Sequence, residues 1–409
     1  MVIQQVFILV GAVFMVMAAL ATNAPNLQYM AAVTVAVPIV AYVACRLGLR
    51  DIQCARRVPK RAFEGSEFTI LLQLRNRSRL PRFSLRILDA LPEWLVSDSS
   101  PSFAARAVWP GRPVEFSYQA RAEKRGVFRL GPAMALASDP LGLFQAEKAL
   151  QDQAELVVYP TPVRLDAAPR AGGSAFGTVE AERPAATGRG FEFATVRDYQ
   201  PGDEQKRIHW KSTARLGRLA VVEYDQAFAR DVAICLDARA GTDLGQGKKT
   251  TLEFAVKAAA SLANFAAKNG SSASLAFSDS GGWRLIRASK AEELFDVYEA
   301  LARVRADGAE PISAVLRRME PQLSAGALVV AATSDLDEGL VGVAAQWAAR
   351  RVRLCLLLLD PEAFAGDGDL HRKSMAFASR LSRASAAVQI LGPDDDLAGA
   401  LRKVCDAAV

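Results

Sequence analysis

No acidic or basic residue occurs between Met1 and Cys45. Two apolar runs fill that stretch, Phe7–Ala21 and Met30–Cys45, and between them lies TNAPNLQY with Pro25 and two asparagines. Extended by its neutral flanks, each run approaches the roughly 17–25 residues that cross hydrocarbon. A helical hairpin satisfies its own backbone hydrogen bonds where lipid cannot. The expectation is a transmembrane helical hairpin over residues 1–48, with helices at about 3–22 and 28–46. A cleaved signal peptide fits less well, because no positive n-region precedes the first run and a second run follows it. Arg46, Arg50, Arg56, Arg57, Lys60 and Arg61 follow the second run against the single acid Asp51. The positive-inside rule then keeps the long remainder, and the short N-terminus, on the cytoplasmic side.

Past residue 51 the hydrophobic period shortens to two. Phe68, Ile70, Leu72 and Leu74 alternate with polar residues, and Val114, Phe116 and Tyr118 repeat the pattern. Such strands bury one face and wet the other. With turn signals between them they predict an antiparallel β-sandwich over residues 52–165. A Gly- and Ala-rich stretch at 166–189 predicts a flexible linker. From residue 227 to 409 apolar strands such as DVAICLD, ALVVAATSD and RLCLLLLD alternate with Ala- and Leu-rich helices. That alternation predicts a Rossmann-like α/β domain with a mostly parallel sheet. Ligands of such sheets sit at the carboxyl ends of strands, which singles out Asp237 and Asp335.

Common chemistries are incomplete. The five cysteines, Cys45, Cys54, Cys235, Cys355 and Cys405, show no CxxC spacing, so neither a disulfide framework nor a structural zinc site is expected. GTDLGQGKKT resembles a phosphate-binding loop. Its outer glycines, Gly241 and Gly247, enclose five residues instead of four, and Lys249 stands where a magnesium-binding hydroxyl belongs. A surface loop is expected there. No G-x-S-x-G elbow occurs. The net charge of +6 is modest for 409 residues, and no single-sign stripe suits nucleic acid.

The segment at 190–226 carries the most specific signal. Between Gly188 and Leu219 lie seven Lys or Arg and four Asp or Glu, a mixed-charge surface around Tyr199 and Trp210. Arginines at 197, 207 and 215 can form bidentate pairs with carboxylates. This reads as a salt-linked scaffold or a partner-docking surface. Its pattern, with Gly190, Glu192, Phe193, Arg197, Tyr199, Gly202, Asp203, Arg207, Ile208, Trp210, Lys211, Ala214 and Arg215, resembles the bacterial family called domain of unknown function 58. His209 falls at a variable position of that pattern.

The resemblance implies a von Willebrand factor type A-like fold for residues 227–409, encoded beside MoxR-type AAA+ ATPases. It implies a non-enzymatic, membrane-anchored adaptor of such an ATPase in the bacterial inner membrane, and brings no catalytic residues. The expected framework for docking is Arg197, Tyr199, Gly202, Asp203, Arg207, Trp210, Lys211 and Arg215. Type A domains bind a divalent cation through Asp-x-Ser-x-Ser, a Thr and a later Asp. Here the first element is Asp237-Ala238-Arg239-Ala240-Gly241, without either serine. The remaining ligands for Mg2+ or Mn2+ are Asp237, Ser334 and Asp335. Arg239 competes for the same place, and no cofactor is expected. A cation-dependent sensing module is the alternative function, and an enzyme of unknown class the third.

Overall fold

A computed structural model describes residues 2–22, 24–139, 142–165, 192–198, 208, 210–225, 231–324, 326–365 and 370–406. The expected linker at 166–189 lies outside them. The chain divides into two compact units, Met1–Pro160 and Thr161–Val409.

The first unit opens with α1 (Val2–Thr22) and α2 (Pro25–Gly48). Pro25 takes the first helical turn of α2, where its missing N–H costs no bond. Residues read as an interhelical turn therefore belong to the helix. Among the described residues α2 is the one helix long and apolar enough to cross a membrane, and α1 carries the apolar stretch Val6–Thr22.

Strands follow: β1 (Ile52–Arg57), β2 (Arg61–Phe63), β3 (Glu67–Asn76), β4 (Arg82–Leu88), β5 (Leu95–Val96), β6 (Ser102–Val108), β7 (Val114–Ala122), β8 (Gly126–Leu130), β9 (Met134–Ser138), β10 (Gln145–Ala149) and β11 (Ala154–Tyr159). They form sheets β1-β3-β7-β5, β10-β9-β4-β6 and β2-β11-β8. All pairings are antiparallel except β2 with β11. The alternation in β3 puts Phe68, Ile70, Leu72 and Leu74 into one core with Leu85, Ile87, Val108, Leu130 and Leu156. These are β-sandwich-like sheets. α2 joins the same core at its last turns, where Cys45 and Leu49 are buried.

Arg56 corrects the reading of the basic collar. It shares a face of β1 with buried Ile52 and Cys54, and its side chain is only 1% exposed. Its guanidinium forks onto Asp89 at 2.6 and 2.7 Å and reaches Asp152 at 2.8 Å. Tyr118 donates to Asp89 at 2.5 Å, and the Ala133 N–H donates to Asp152 at 2.9 Å. A charge buried this deeply needs such a complete set of partners. Gly131, at φ +84°, passes close by; a Cβ there would lie 3.2 Å from Asp152 Oδ1.

In the second unit β12 (Glu192–Asp198) pairs antiparallel with β13 (Ala220–Asp225), and α3 (Trp210–Leu216) stands between them in sequence. The main sheet comprises β14 (Val232–Leu236), β17 (Ala273–Asp279), β18 (Gly282–Ala288), β19 (Leu328–Thr333), β20 (Arg353–Leu359) and β21 (Ala387–Leu391). Its order is β18-β17-β14-β19-β20-β21. Only the edge strand β18 runs antiparallel to its neighbour.

The helices are α4 (Thr251–Lys268), α5 (Leu294–Arg303), α6 (Ile312–Met319), α7 (Gly339–Ala349), α8 (Pro361–Ala365), α9 (Leu370–Arg383) and α10 (Leu397–Asp406). Ile312 and Leu316 of α6, Leu340 and Trp347 of α7, and Phe377 and Leu381 of α9 cover Cys235, Val329, Ala331, Leu354 and Leu356. Full burial of β14 and β19, and of β20 past Arg353, explains why their sequences read as unbroken apolar runs.

The second half of GTDLGQGKKT forms a small ribbon, β15 (Gly245–Gln246) with β16 (Lys249–Thr250). Gly245 has φ +104°, and a Cβ there would meet the Lys249 carbonyl at 2.2 Å. Thr250 then caps α4 by accepting from the Glu253 N–H.

Candidate functional site

β14 and β19 are neighbours at the point where the sheet order reverses, between the early strands and the later ones. A crevice beyond such strand ends is where open α/β sheets hold ligands. Asp237 follows β14 directly, and Ser334 and Asp335 follow β19. The structure therefore brings together the three residues singled out as candidate ligands.

Their bonds are already made. Thr333 donates to Asp237 Oδ2 at 2.5 Å, and the Arg239 N–H donates to Asp237 Oδ1 at 3.1 Å. Thr333 also accepts from the Asp335 N–H at 2.9 Å. Arg239 Nη2 pairs with Asp335 Oδ2 at 2.5 Å. Ser334 points its hydroxyl elsewhere, donating to the Thr242 carbonyl at 2.6 Å.

Asp237 is buried, and that burial pushes its carboxyl above the usual range. The Thr333 and Arg239 hydrogen bonds pull in the opposite direction. Backbone bonds fix the arginine loop: Ala240 N–H to Gly308 O, and Gly308 N–H to Ala238 O, both 2.8 Å. Only glycine fits at 308, since a Cβ would lie 2.1 Å from the Ser278 carbonyl.

A divalent magnesium or manganese ion needs about six oxygen ligands in an octahedron. Here one carboxylate holds a guanidinium, each oxygen of the other accepts a hydrogen bond from a hydroxyl or an N–H, and the serine faces away. The donor set does not fit such an ion.

A further acid, outside the sequence-derived candidates, stands at a strand end. Asp360 follows β20, is buried, and meets His371 Nδ1 at 2.5 Å and the Ser374 hydroxyl at 3.3 Å. Asp360 holds the His371 imidazole above its ordinary pKa. The serine bonds the carboxylate rather than the imidazole, so this contact gives the hydroxyl no base. A detectable signal was the acid immediately following the apolar run of β20.

The signature framework is described in part. Arg197 lies on β12, and Lys211 on α3. Trp210 is 68% exposed at the start of α3, and Arg215 is exposed in its last turn. Tyr199, Gly202, Asp203, Arg207 and His209 lie outside the described residues. Ile208 bridges to Val221 of β13.

Residues 195–365 match the family described as "Protein of unknown function DUF58". The DUF58 match begins on β12, and so takes in α3, the strand-end site and the strands as far as β20. A curated Bacillus subtilis (strain 168) relative, "Uncharacterized protein YeaD", is 26% identical over 283 residues, 66% of this chain and 66% of its own length. The chain thus spans just under two thirds of that relative. Among solved structures, Escherichia coli alpha-2-macroglobulin is 20% identical over 27% of this chain and 7% of its own, with a TM-score of 0.21. The CARDB domain of a Pyrococcus furiosus protein is 8% identical over 26% of this chain and 94% of its own, with a TM-score of 0.19.

Proposed function

We propose that this chain is a membrane-anchored, non-enzymatic protein-binding adaptor. In this reading α1 and α2 form a transmembrane hairpin, and the bulk of the chain faces the cytoplasm. The second unit is a von Willebrand type A-like docking module in which an internal arginine replaces the cation. The observation that carries this is the Arg239–Asp335 pair, with Asp237 held by Thr333, at the sheet's ligand position. A site closed by its own side chains has no open coordination position with which to activate a substrate. The Asp360–His371–Ser374 contacts support a structural role too, since the hydroxyl faces the acid.

Docking then falls to the signature segment. Trp210 gives a large amphipathic contact, the residue type that dominates interface energetics. Arg215, on the same short helix, can pair with a partner's carboxylates. The partner that the family resemblance implies is a MoxR-type AAA+ ATPase.

The test is capture of such an ATPase by the full-length chain in detergent. Trp210→Ala and Arg215→Ala are expected to abolish capture while leaving the melting temperature unchanged, because both side chains are exposed. Undiminished capture by both variants would remove the segment as the docking surface.

A further inference from the structure

The sandwich end from which α2 emerges carries an exposed apolar and arginine-rich tip. We infer that this tip is a second membrane contact, a wedge of Leu80, Phe83 and Trp109 seated in the headgroup region of an anionic bilayer. The inference rests on the reading that α2 spans the membrane.

The geometry lies within the first unit. Gly48 of α2 faces Ala137 of β9, and Cys45 donates to the Ala137 carbonyl at 3.2 Å. Further back along the helix, Tyr42 meets Phe144, beyond the end of β9, at 5.5 Å between ring centres. Ala137 pairs with Leu85 and Met134 with Leu88, so β9 runs toward the start of β4. The helix therefore leaves the sandwich at the end holding the β3–β4 turn. Two links confirm the placement: Ile52 lies opposite Asn76, and the Arg77 N–H donates to the Asp51 carbonyl at 3.0 Å.

That turn is built to present its side chains. Buried Asn76 donates to the carbonyls of Leu80 and Val108, both at 2.9 Å, and accepts from the Ser78 N–H. It thereby ties the β3–β4 turn to the end of β6. Leu80 is left 66% exposed, Phe83 56% and Trp109 53%, with the two rings edge to face at 6.4 Å. Three large apolar side chains grouped at one tip are more than the scattered exposure normal for a soluble surface.

Charge selects the occupant. No Asp or Glu occurs from Leu74 to Ile87 or from Ala104 to Val114. Arg77, Arg79 and Arg112 are exposed there. Arginines around aromatic and aliphatic side chains match the boundary between anionic headgroups and acyl chains. Arg46, over the Tyr42 ring at 5.5 Å, continues the basic rim onto α2. A protein partner would have to reach a surface that α2 holds beside the bilayer.

The test uses the full-length chain in nanodiscs containing phosphatidylglycerol and brominated phospholipid. Single labels of the fluorophore NBD go on Leu80→Cys, on Val33→Cys within α2, and on Glu93→Cys at the opposite end of the sandwich. The native cysteines Cys45, Cys54, Cys235, Cys355 and Cys405 are all buried, and the wild-type chain gives the labelling background. Loss of fluorescence at 80 and 33, but not at 93, is expected. Replacing Arg77, Arg79 and Arg112 with Glu should restore fluorescence at 80 and leave 33 quenched.

A bright label at 80 beside a quenched label at 33 overturns the wedge and leaves the spanning helix standing. If that bright label is also blue-shifted, a protein covers the tip instead. Bright labels at both positions overturn the wedge and the spanning helix together. Quenching at 80 that survives the three reversals overturns the anionic-lipid assignment.

Discussion

Arg239 and Asp335 meet at 2.5 Å across two adjacent parallel strands, each side chain about one-third exposed. The guanidinium supplies positive charge beside carboxylates that in a cation-binding site would coordinate metal. Asp237 differs from Asp335 in being buried and in bonding a hydroxyl and an N–H rather than the guanidinium. The two acids thus divide their work: Asp237 orders the loop after β14, and Asp335 holds the arginine.

Burial raises the Asp237 pKa above its ordinary 3.8. The folded chain then binds that proton more tightly than the unfolded chain does. The stability this contributes is complete below 3.8 and is lost as pH rises through the folded value. Asp237→Asn removes the titration. Denaturant unfolding of both proteins between about pH 4 and pH 7 is expected to show the wild type losing ground to the variant as pH rises. A wild-type advantage that grows with pH contradicts this assignment.

The chain has two histidines, His209 and His371, which makes a proton NMR titration of His371 simple to read. Asp360 holds His371 above 6.5, so the stability from this contact is complete below 6.5 and lost as pH rises through the folded pKa. In Asp360→Asn the His371 titration is expected to fall back toward 6.5. An unmoved His371 curve contradicts the contact.

Arg56 sits with Asp89 and Asp152 at side-chain exposures of 1%, 0% and 0%. Removing one member of such a set leaves uncompensated buried charge. Arg56→Ala is expected to cost about 3–5 kcal/mol. Tyr118→Phe leaves Asp89 its arginine and should cost about 1 kcal/mol. Thermal unfolding of the first unit in detergent measures both, and equal effects would contradict the burial argument.

Periodicity carries the legible part of this chain. The alternation of Phe68, Ile70, Leu72 and Leu74 specifies a half-buried strand, and the unbroken apolar runs of β14, β19 and β20 specify a covered parallel sheet. Strand ends then point to Asp237 and Asp335. Arg56 was misread because proximity to an apolar helix was given more weight than phase. Its two-residue spacing from Ile52 and Cys54 already put it on the buried face. Thr333 was missed because the hydroxyl that bonds Asp237 sits inside the apolar run of β19 itself, immediately before Ser334. The Asp360–His371 contact joins residues on two different elements, and no single-segment pattern reveals it.

Whether Arg239 closes the strand-end site to metal is read by titrating the full-length chain with Mg2+ and Mn2+, with calorimetry and melting temperature as readouts. No binding heat and no shift in melting temperature are expected. A coupling between Arg239→Ala and Asp335→Ala of about 1 kcal/mol is also expected, modest because water screens a pair exposed to this degree. A saturable rise in wild-type melting temperature that Asp237→Asn and Asp335→Ala each abolish would contradict closure by Arg239.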